Sequence, residues 1–395
     1  MTDTAPMTSP DAPVRAPARR KYRVLHVIDS LDLGGAQVVL ENLIRHGDRD
    51  RFEFEAATMH GRGVYWDRLG ALGVPLHSLS FHHKVPLYVP RLAWLCLTRR
   101  YDVVHTHLLA ANVIAKPLAA CCGVRVRINH DHCNDKLTDP RWWALSADRV
   151  TNRFSTHVIA VSESTRAFVV EKEGLPAARA TTVHNGIDLD IFRPRPEQRA
   201  AARERWNLPS DAFIVAGIGR LTFQKNFALF LDVAARIVRE HPRAFFVLVG
   251  TGEDESALRA QADRLGLGER VRFLGYVSDM PALWPALDCL LLTSRYEGLP
   301  ITILEAMACG APIVASNLDG MREILRDEEN ADLVPPGEPE PYAERLSRLI
   351  ADSTRRAHHA AAALEIVRQG YSAAAMARAV ERIYLRYLEP AGSPG

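Results

Sequence analysis

The sequence predicts an α/β protein of two Rossmann-like lobes facing across a cleft, and three observations carry that expectation. Apolar runs that read as parallel strands alternate with helical periodicity along nearly all of the chain after residue 20. The alternation pauses once, at VHNGIDLDIFRPRPEQ (183–198), where an Asn-Gly pair and two X-Pro steps mark a crossing, and then restarts. At 395 residues, with 47% apolar residues, the chain exceeds one ordinary domain and can fill two cores. The expected division is a tail over 1–20, a first lobe over 21–190, a second over 191–370, a helix over 371–389 that crosses back to brace the lobes, and a short tail over 390–395.

Bulk properties exclude several classes. A formal charge of +2 and a pI near 8.2 carry no strong basic bias, and no cluster of basic and aromatic residues makes a nucleic-acid footprint. The six Cys lack paired metal-ligand spacing, and Cys96, Cys289 and Cys309 sit in apolar contexts that suit reduced, buried thiols. No apolar run reaches membrane-spanning length, and the first 21 residues lack the apolar core of a signal peptide. A cytoplasmic chain is expected, with contact at the inner face of the membrane as its one membrane relation. The basis for that contact is FHHKVPLYVPRLAWLCLTRR (81–100), where aromatic and basic residues interleave around a helical pattern. A core-packed helix with a solvated basic edge is the blander alternative.

Each element has a local reason. Arg23 to Ile28 is a strand, followed by a turn through Gly34 and Gly35 and a helix from Ala36 to Arg45. Two adjacent glycines there permit close backbone approach to a ligand and conformations closed to other residues. The pair lacks GxGxxG spacing, which counts against a dinucleotide site. Strands at 54–59, 77–79 and 102–106 alternate with helices at 64–72, 90–98 and 110–121. The strand at 125–129 then delivers His130, Asp131 and His132 to its carboxyl end, the functional edge of an open parallel sheet. A helix over 140–154, a strand over 157–161, Ser162 as a cap, a helix over 163–173 and a strand over 180–183 complete the first half. The second half reads as strands at 212–217, 244–249 and 271–274, with helices at 227–240, 255–265 and 280–286 between them. Three long helices, 341–350, 354–369 and 373–388, close the chain.

The densest chemistry lies in SRYEGLPITILEAMACGAPIVAS (294–316). CLLL (289–292) is a buried strand, Ile301 to Cys309 a helix, and Ala311 to Ser316 the next strand. Pro300 suits the first helical turn, and Gly310 suits the left-handed residue that ends a helix. N–H groups from Leu299 to Thr302 can then hold a phosphate without metal. Glu297 acts from the loop and Glu305 from the helix. Upstream, GRLTFQKN places Arg220 and Lys225 in one loop, a planar fork and a mobile point charge suited to two phosphates.

Read together, these segments resemble the retaining glycosyltransferases of family 4, which have the GT-B fold. LDLGGAQ (31–37), NHD (129–131), VSEST (161–165), VHNGID (183–188), GRLTFQKN (219–226), VGTGED (249–254), LGYVSDMP (274–281), YEGLPITILEAMACGAPIVAS (296–316) and DGMREIL (319–325) appear in family order. The resemblance implies transfer of a hexose-type sugar from a nucleoside diphosphate donor, UDP- or GDP-linked, to a hydroxyl of a lipid-linked, glycan or small-molecule acceptor. Polysaccharide or glycolipid synthesis is the implied setting, with no metal and no further cofactor. His130 is implied to contact the donor sugar, with His132 the weaker match. Arg220 and Lys225 are implied to bind the diphosphate, and Glu297 the sugar hydroxyls. Gly298, Leu299, Pro300, Ile301 and Thr302 supply sugar and phosphate contacts, Glu305 holds the ribose, and Gly34 with Gly35 closes near the phosphates. Glu323 is implied to support the donor lobe, although DGMRE carries one Gly where the family more often has two. A metal site on His105, His107, His130 and His132 is disfavoured, because their strand-edge placement suits polar substrate contacts. A non-hydrolysing nucleotide-sugar epimerase and a noncatalytic nucleotide-sugar-binding protein stand as the alternatives.

Overall fold

A computed structural model describes residues 20–79, 88–132 and 143–389. The two expected tails, apart from Arg20, the start of the aromatic and basic stretch at 81–87, and the helix start at 140–142 lie outside these residues.

The first lobe carries strands β1 (Tyr22–Ile28), β2 (Phe52–Thr58), β3 (Leu76–Ser78), β4 (Val103–His107), β5 (Val126–Asp131), β6 (His157–Ala160) and β7 (Ala180–Thr182). Helices α1 (Gly35–His46), α2 (Tyr65–Ala71), α3 (Tyr88–Arg99), α4 (Leu109–Cys121), α5 (Ala144–Thr151) and α6 (Glu163–Glu171) connect them. The second lobe opens with α7 (Arg199–Arg205) and holds β8 (Phe213–Ile218), β9 (Ala244–Val249), β10 (Val271–Gly275), β11 (Cys289–Leu292), β12 (Ile313–Ser316) and β13 (Asp332–Val334). Its helices are α8 (Phe227–Glu240), α9 (Glu255–Arg264), α10 (Met280–Leu283), α11 (Ile301–Cys309), α12 (Asp319–Arg322), α13 (Pro339–Ala351) and α14 (Ser353–Gly370). The chain ends in α15 (Ala373–Leu388).

Both sheets are parallel and reverse direction of growth once. The orders are β3-β2-β1-β4-β5-β6-β7 and β10-β9-β8-β11-β12-β13. The reversals fall beside β1 and β8, so the loops leaving those strands open a crevice at the carboxyl edge, where open α/β sheets bind ligands. Burial on both faces explains why the strands read as continuous apolar runs. In β1, Val24 and Ile28 point to the core under α1, whereas Leu25 and Val27 enter a separate cluster with Leu92, Leu95 and Ala115 from α3 and α4.

The lobes face each other across a cleft, and α15 packs on α1 of the first lobe, as the sequence predicts. Its contacts are specific as well as apolar. The Asp48 N–H donates to Glu381 at 2.6 Å, His105 Nδ1 meets the Tyr384 hydroxyl at 2.5 Å, and Arg125 donates to the Leu388 carbonyl at 3.1 Å. The crossing segment is tied down as well: Ile187 pairs with Ser372, and Asn42 donates to the Gly186 carbonyl at 3.0 Å.

Several expectations needed correction. Neither β13 nor α7 is predicted, because three residues of DLV and the polar run RAAARER carry too little periodicity to stand out. The helix at DGMRE is a single short turn, Asp319–Arg322. Pro300 is the N-cap of α11 rather than a residue of its first turn, with an extended ψ of 130°. Gly310 does adopt the left-handed conformation, at φ 70°, and Ser162 does cap α6, its hydroxyl accepting from the Thr165 N–H at 3.1 Å.

Candidate active site

A cleft of about 930 Å³ lies between the lobes. From the second lobe it is lined by Arg220, Gln224, Lys225, Glu297 and the α11 entry from Gly298 to Thr302, with Glu305 behind. From the first lobe come Gly34, Gly35, Tyr65, Arg68, Asp131 and His132. Eleven of the twelve predicted site residues are therefore gathered in one place. The exception is His130.

The second-lobe rim is built on two loops that interlock. A Cβ added at Gly250 would lie 1.9 Å from the Gly219 carbonyl oxygen, so only glycine lets the loop after β9 rest on the loop after β8. That contact fixes the start of GRLTFQKN and projects Arg220, which is exposed, along the cleft. Lys225 Nζ reaches Glu297 Oε1 at 2.6 Å. Ser294 Oγ donates to the same oxygen at 2.7 Å, and Gln224 Nε2 to Oε2 at 3.2 Å. Glu297 is buried, so its negative charge is held by one cation and two neutral donors in a fixed position. Ser294 and Gln224 escaped sequence reading because their importance is set by a contact and not by their residue type.

The α11 entry adds uncompensated donors. Thr302 Oγ1 is buried without a hydrogen-bond partner among the described residues and lies on the cleft wall, at the first turn of a helix whose free N–H groups favour an anion. Glu305 sits one turn further in and receives the Trp284 indole N–H at 3.1 Å. Burial pushes its carboxyl up to about 7, against smaller opposing effects from that indole and from Arg68. Arg68 belongs to the first lobe and bonds Glu41 at 2.7 Å. Its field therefore crosses the cleft.

The first-lobe rim differs from expectation in two places. Gly34 has φ 170° and is extended, and Gly35 begins α1 with no left-handed angle, so neither needs the conformational freedom predicted for the pair. Gly35 instead serves proximity, since an added Cβ there would stand 3.7 Å from Ile301 of the opposite lobe. The second difference is His130. Strand pleating turns it onto the sheet face under α1 and α15, with 0% exposure, while His132 beyond the strand end lines the cleft. His107 Nδ1 holds the His132 Nε2 at 3.1 Å.

Where the lobes touch, Glu323 does more than support its own lobe. It accepts the Glu163 and Ser164 N–H groups at 2.8 and 3.0 Å, capping α6 of the other lobe, and takes His184 Nε2 at 2.8 Å. Burial alone would raise its carboxyl, but those three donors outweigh burial and hold it below the ordinary value. The single glycine of DGMRE also finds its reason here. A Cβ on Gly320 would sit 1.7 Å from the Gly298 carbonyl oxygen, whereas Asp319 before it is exposed and pairs with Arg322.

Two facing doubly wound lobes, a returning C-terminal helix and a charged cleft wall define a protein of the GT-B fold. The particular family follows from comparison with known proteins. Residues 33–191 match Glycosyltransferase Family 4 and residues 198–365 match Glycosyl transferases group 1. The D-inositol 3-phosphate glycosyltransferase of Thermobispora bispora is 30% identical over 73% of this chain and 72% of its own. The putative glycosyltransferase EpsF of Bacillus subtilis is 27% identical over 75% of this chain and 79% of its own. Among solved structures, Anabaena HepE in complex with UDP-glucose is 26% identical, with a TM-score of 0.81 over 91% of this chain and 98% of its own. The chain belongs to the family 4 glycosyltransferases.

Proposed function

We propose that the protein is a retaining glycosyltransferase that moves a hexose-type sugar from a nucleoside diphosphate sugar to an acceptor hydroxyl in polysaccharide or glycolipid synthesis. The observation that carries this reading is the convergence of Arg220, the Lys225–Glu297 pair and the unpartnered Thr302 hydroxyl on one wall of the cleft. In this reading residues 21–190 form the acceptor-side lobe and 191–370 the donor lobe. A UDP-linked donor is favoured by the likeness to a protein solved with UDP-glucose.

Arg220, Lys225 and the α11 N–H groups take up charge as the diphosphate departs, and Glu297 accepts hydrogen bonds from the sugar hydroxyls. Glu305 receives the ribose hydroxyls. His132 replaces His130 as the imidazole that meets the sugar. The acceptor oxygen forms its bond to the anomeric carbon on the face from which the phosphate oxygen leaves, and the acceptor proton passes to that phosphate oxygen. No enzymic nucleophile takes part. Closure of the lobes excludes water and limits hydrolysis of the donor.

Exposed Trp94 and Leu97 stand three residues apart on α3, beside Arg99 and Arg100. This pattern supports peripheral contact with an anionic membrane, while Leu92, Leu95 and Cys96 pack the opposite face into the core. Among the described residues no helix is long and apolar enough to cross a membrane.

A panel of nucleotide sugars offered with membrane lipid extract and with soluble acceptors tests the function. Released nucleoside diphosphate, product mass and the anomeric configuration of the product are read together. Acceptor-dependent release with a retained anomer is expected. An inverted product would sink the same-face mechanism, and an epimerised donor formed without acceptor would favour an epimerase.

A further inference from the structure

The first-lobe sheet carries a row of imidazoles of which the proposed transfer uses only His132. His26 on β1, His105 and His107 on β4, and His130 and His132 on and just beyond β5 share one sheet face, because all five have the same pleat parity. Register places His26 beside His105 and His107 beside His130. The ring centroids stand 4.4 to 5.3 Å apart, from His105 to His107, His107 to His130 and His130 to His132. The row runs from the core to the cleft. Its hydrogen bonding is incomplete: both ring nitrogens of His130 are buried without a partner among the described residues. A neutral imidazole in that position leaves both an N–H donor and a lone pair unsatisfied, which is unfavourable.

We infer that His107, His130 and His132 form a binding site for a borderline transition-metal ion such as Zn²⁺, entered from the donor cleft. One ligand nitrogen from each of the three lies within 4.8 Å of the others. His107 Nδ1 and His132 Nε2 are already 3.1 Å apart, close to the ~3.3 Å between two nitrogens bound ~2.0 Å from one tetrahedral ion. The His130 ring lies stacked on His132 at an interplanar angle of 13° and turns out of that stack to bring one of its unpartnered nitrogens to the ion. His107 Nε2 stands 3.1 Å from His26 Nδ1, the supporting hydrogen bond that a metal-bound imidazole makes through its other nitrogen. Each neutral imidazole keeps its one proton on the nitrogen that does not bind the ion, so coordination releases none. A second triad, His26, His105 and His107, meets the same distance limit, but neither His26 nor His105 reaches the cleft, so an ion has no path to it. Of the three ligands His132 lines the cleft, so an ion reaches the site past that ring. Occupancy draws His132 away from the sugar, so the ion opposes donor binding.

Equilibrium dialysis of the untagged full chain against Zn²⁺ tests the site, with metal and protein quantified together and melting curves recorded for each variant. About one zinc per chain is expected, and Co²⁺ should give the visible absorption of a four-coordinate nitrogen site. His130→Gln and His132→Gln should each weaken retention by roughly tenfold or more, since a lost ligand costs no less than a lost supporting partner. His358→Gln, on an exposed face of α14, should retain zinc as the wild type does. A wild-type chain without bound zinc, or zinc undiminished in folded His130→Gln and His132→Gln chains, would overturn the assignment. The measurement needs no turnover, so its result stands apart from the proposed transfer reaction.

Discussion

The second-lobe wall of the cleft and the sheet behind the first-lobe wall solve the problem of buried polar groups in opposite ways. On the second-lobe wall charge is present and compensated, as in the Lys225–Glu297 pair with its Ser294 and Gln224 donors. In the sheet behind the first-lobe wall lies a row of buried neutral imidazoles, and several of their nitrogens have no partner among the described residues. Breaking one partner of a compensated pair leaves a buried charge, which is costly. Altering a neutral ring alters shape and hydrogen bonding without exposing a charge. A change at one charged residue of the second-lobe wall is therefore expected to cost more than a change at one buried imidazole.

The largest effect should come from the compensated wall. Glu297→Gln keeps the volume of the side chain but leaves Lys225 unbalanced, and should lower transfer by about 10²–10³-fold, the range for losing one preorganised electrostatic contact. Steady-state kinetics with the donor found above would measure it, and melting curves would separate catalysis from folding. If a folded Glu297→Gln chain kept full activity, the distinction between the two regions would fail.

A smaller effect separates binding from stability at Glu305. Its folded carboxyl is raised to about 7 from an ordinary 4.5. The protonated form is thus favoured by the fold: this contribution is complete below 4.5 and is lost as pH rises through about 7. If ribose hydroxyls donate to the ionised form, nucleotide affinity should rise by about tenfold between pH 6 and pH 8. Glu305→Gln should abolish that slope and weaken binding, while stabilising the free chain at pH 8 by up to the order of 3 kcal/mol. Calorimetric titration of the nucleoside diphosphate at several pH values reads the first part, and thermal melting the second. A slope unchanged in the variant would move the titrating group elsewhere.

The smallest effect concerns the bridge between the walls. Glu323→Gln weakens the cap on α6 and should cost about 0.5–1 kcal/mol at neutral pH, as expected for a carboxylate at a helix N-terminus. Because the folded carboxyl lies below its ordinary value, the stabilisation is present above the ordinary carboxylate range and disappears as pH falls through the folded value. Wild type and variant should therefore converge in acid. A difference that persisted there would show that Glu323 acts by packing alone.

Local periodicity was enough to place most of the fold. CLLL at 289–292 and the helix Ile301–Cys309 were legible to the residue, because a buried strand and an amphipathic or apolar helix each repeat over a few neighbours and end at recognisable breakers. Charged site residues were legible for a related reason: Arg220, Lys225, Glu297 and Glu305 announce their chemistry by type and follow one another within the second lobe. Tertiary structure alone decided which imidazole meets the cleft. The His-Thr-His and His-Asp-His alternations are visible in the sequence, but their convergence depends on β1, β4 and β5 being neighbours, and so on the order of strands in the sheet. The same holds for Glu323, whose partners lie 159 and 160 residues away on the other lobe. Short-range order is encoded in the spacing of adjacent residues, whereas contacts of this length exist only once both lobes have folded and closed on each other.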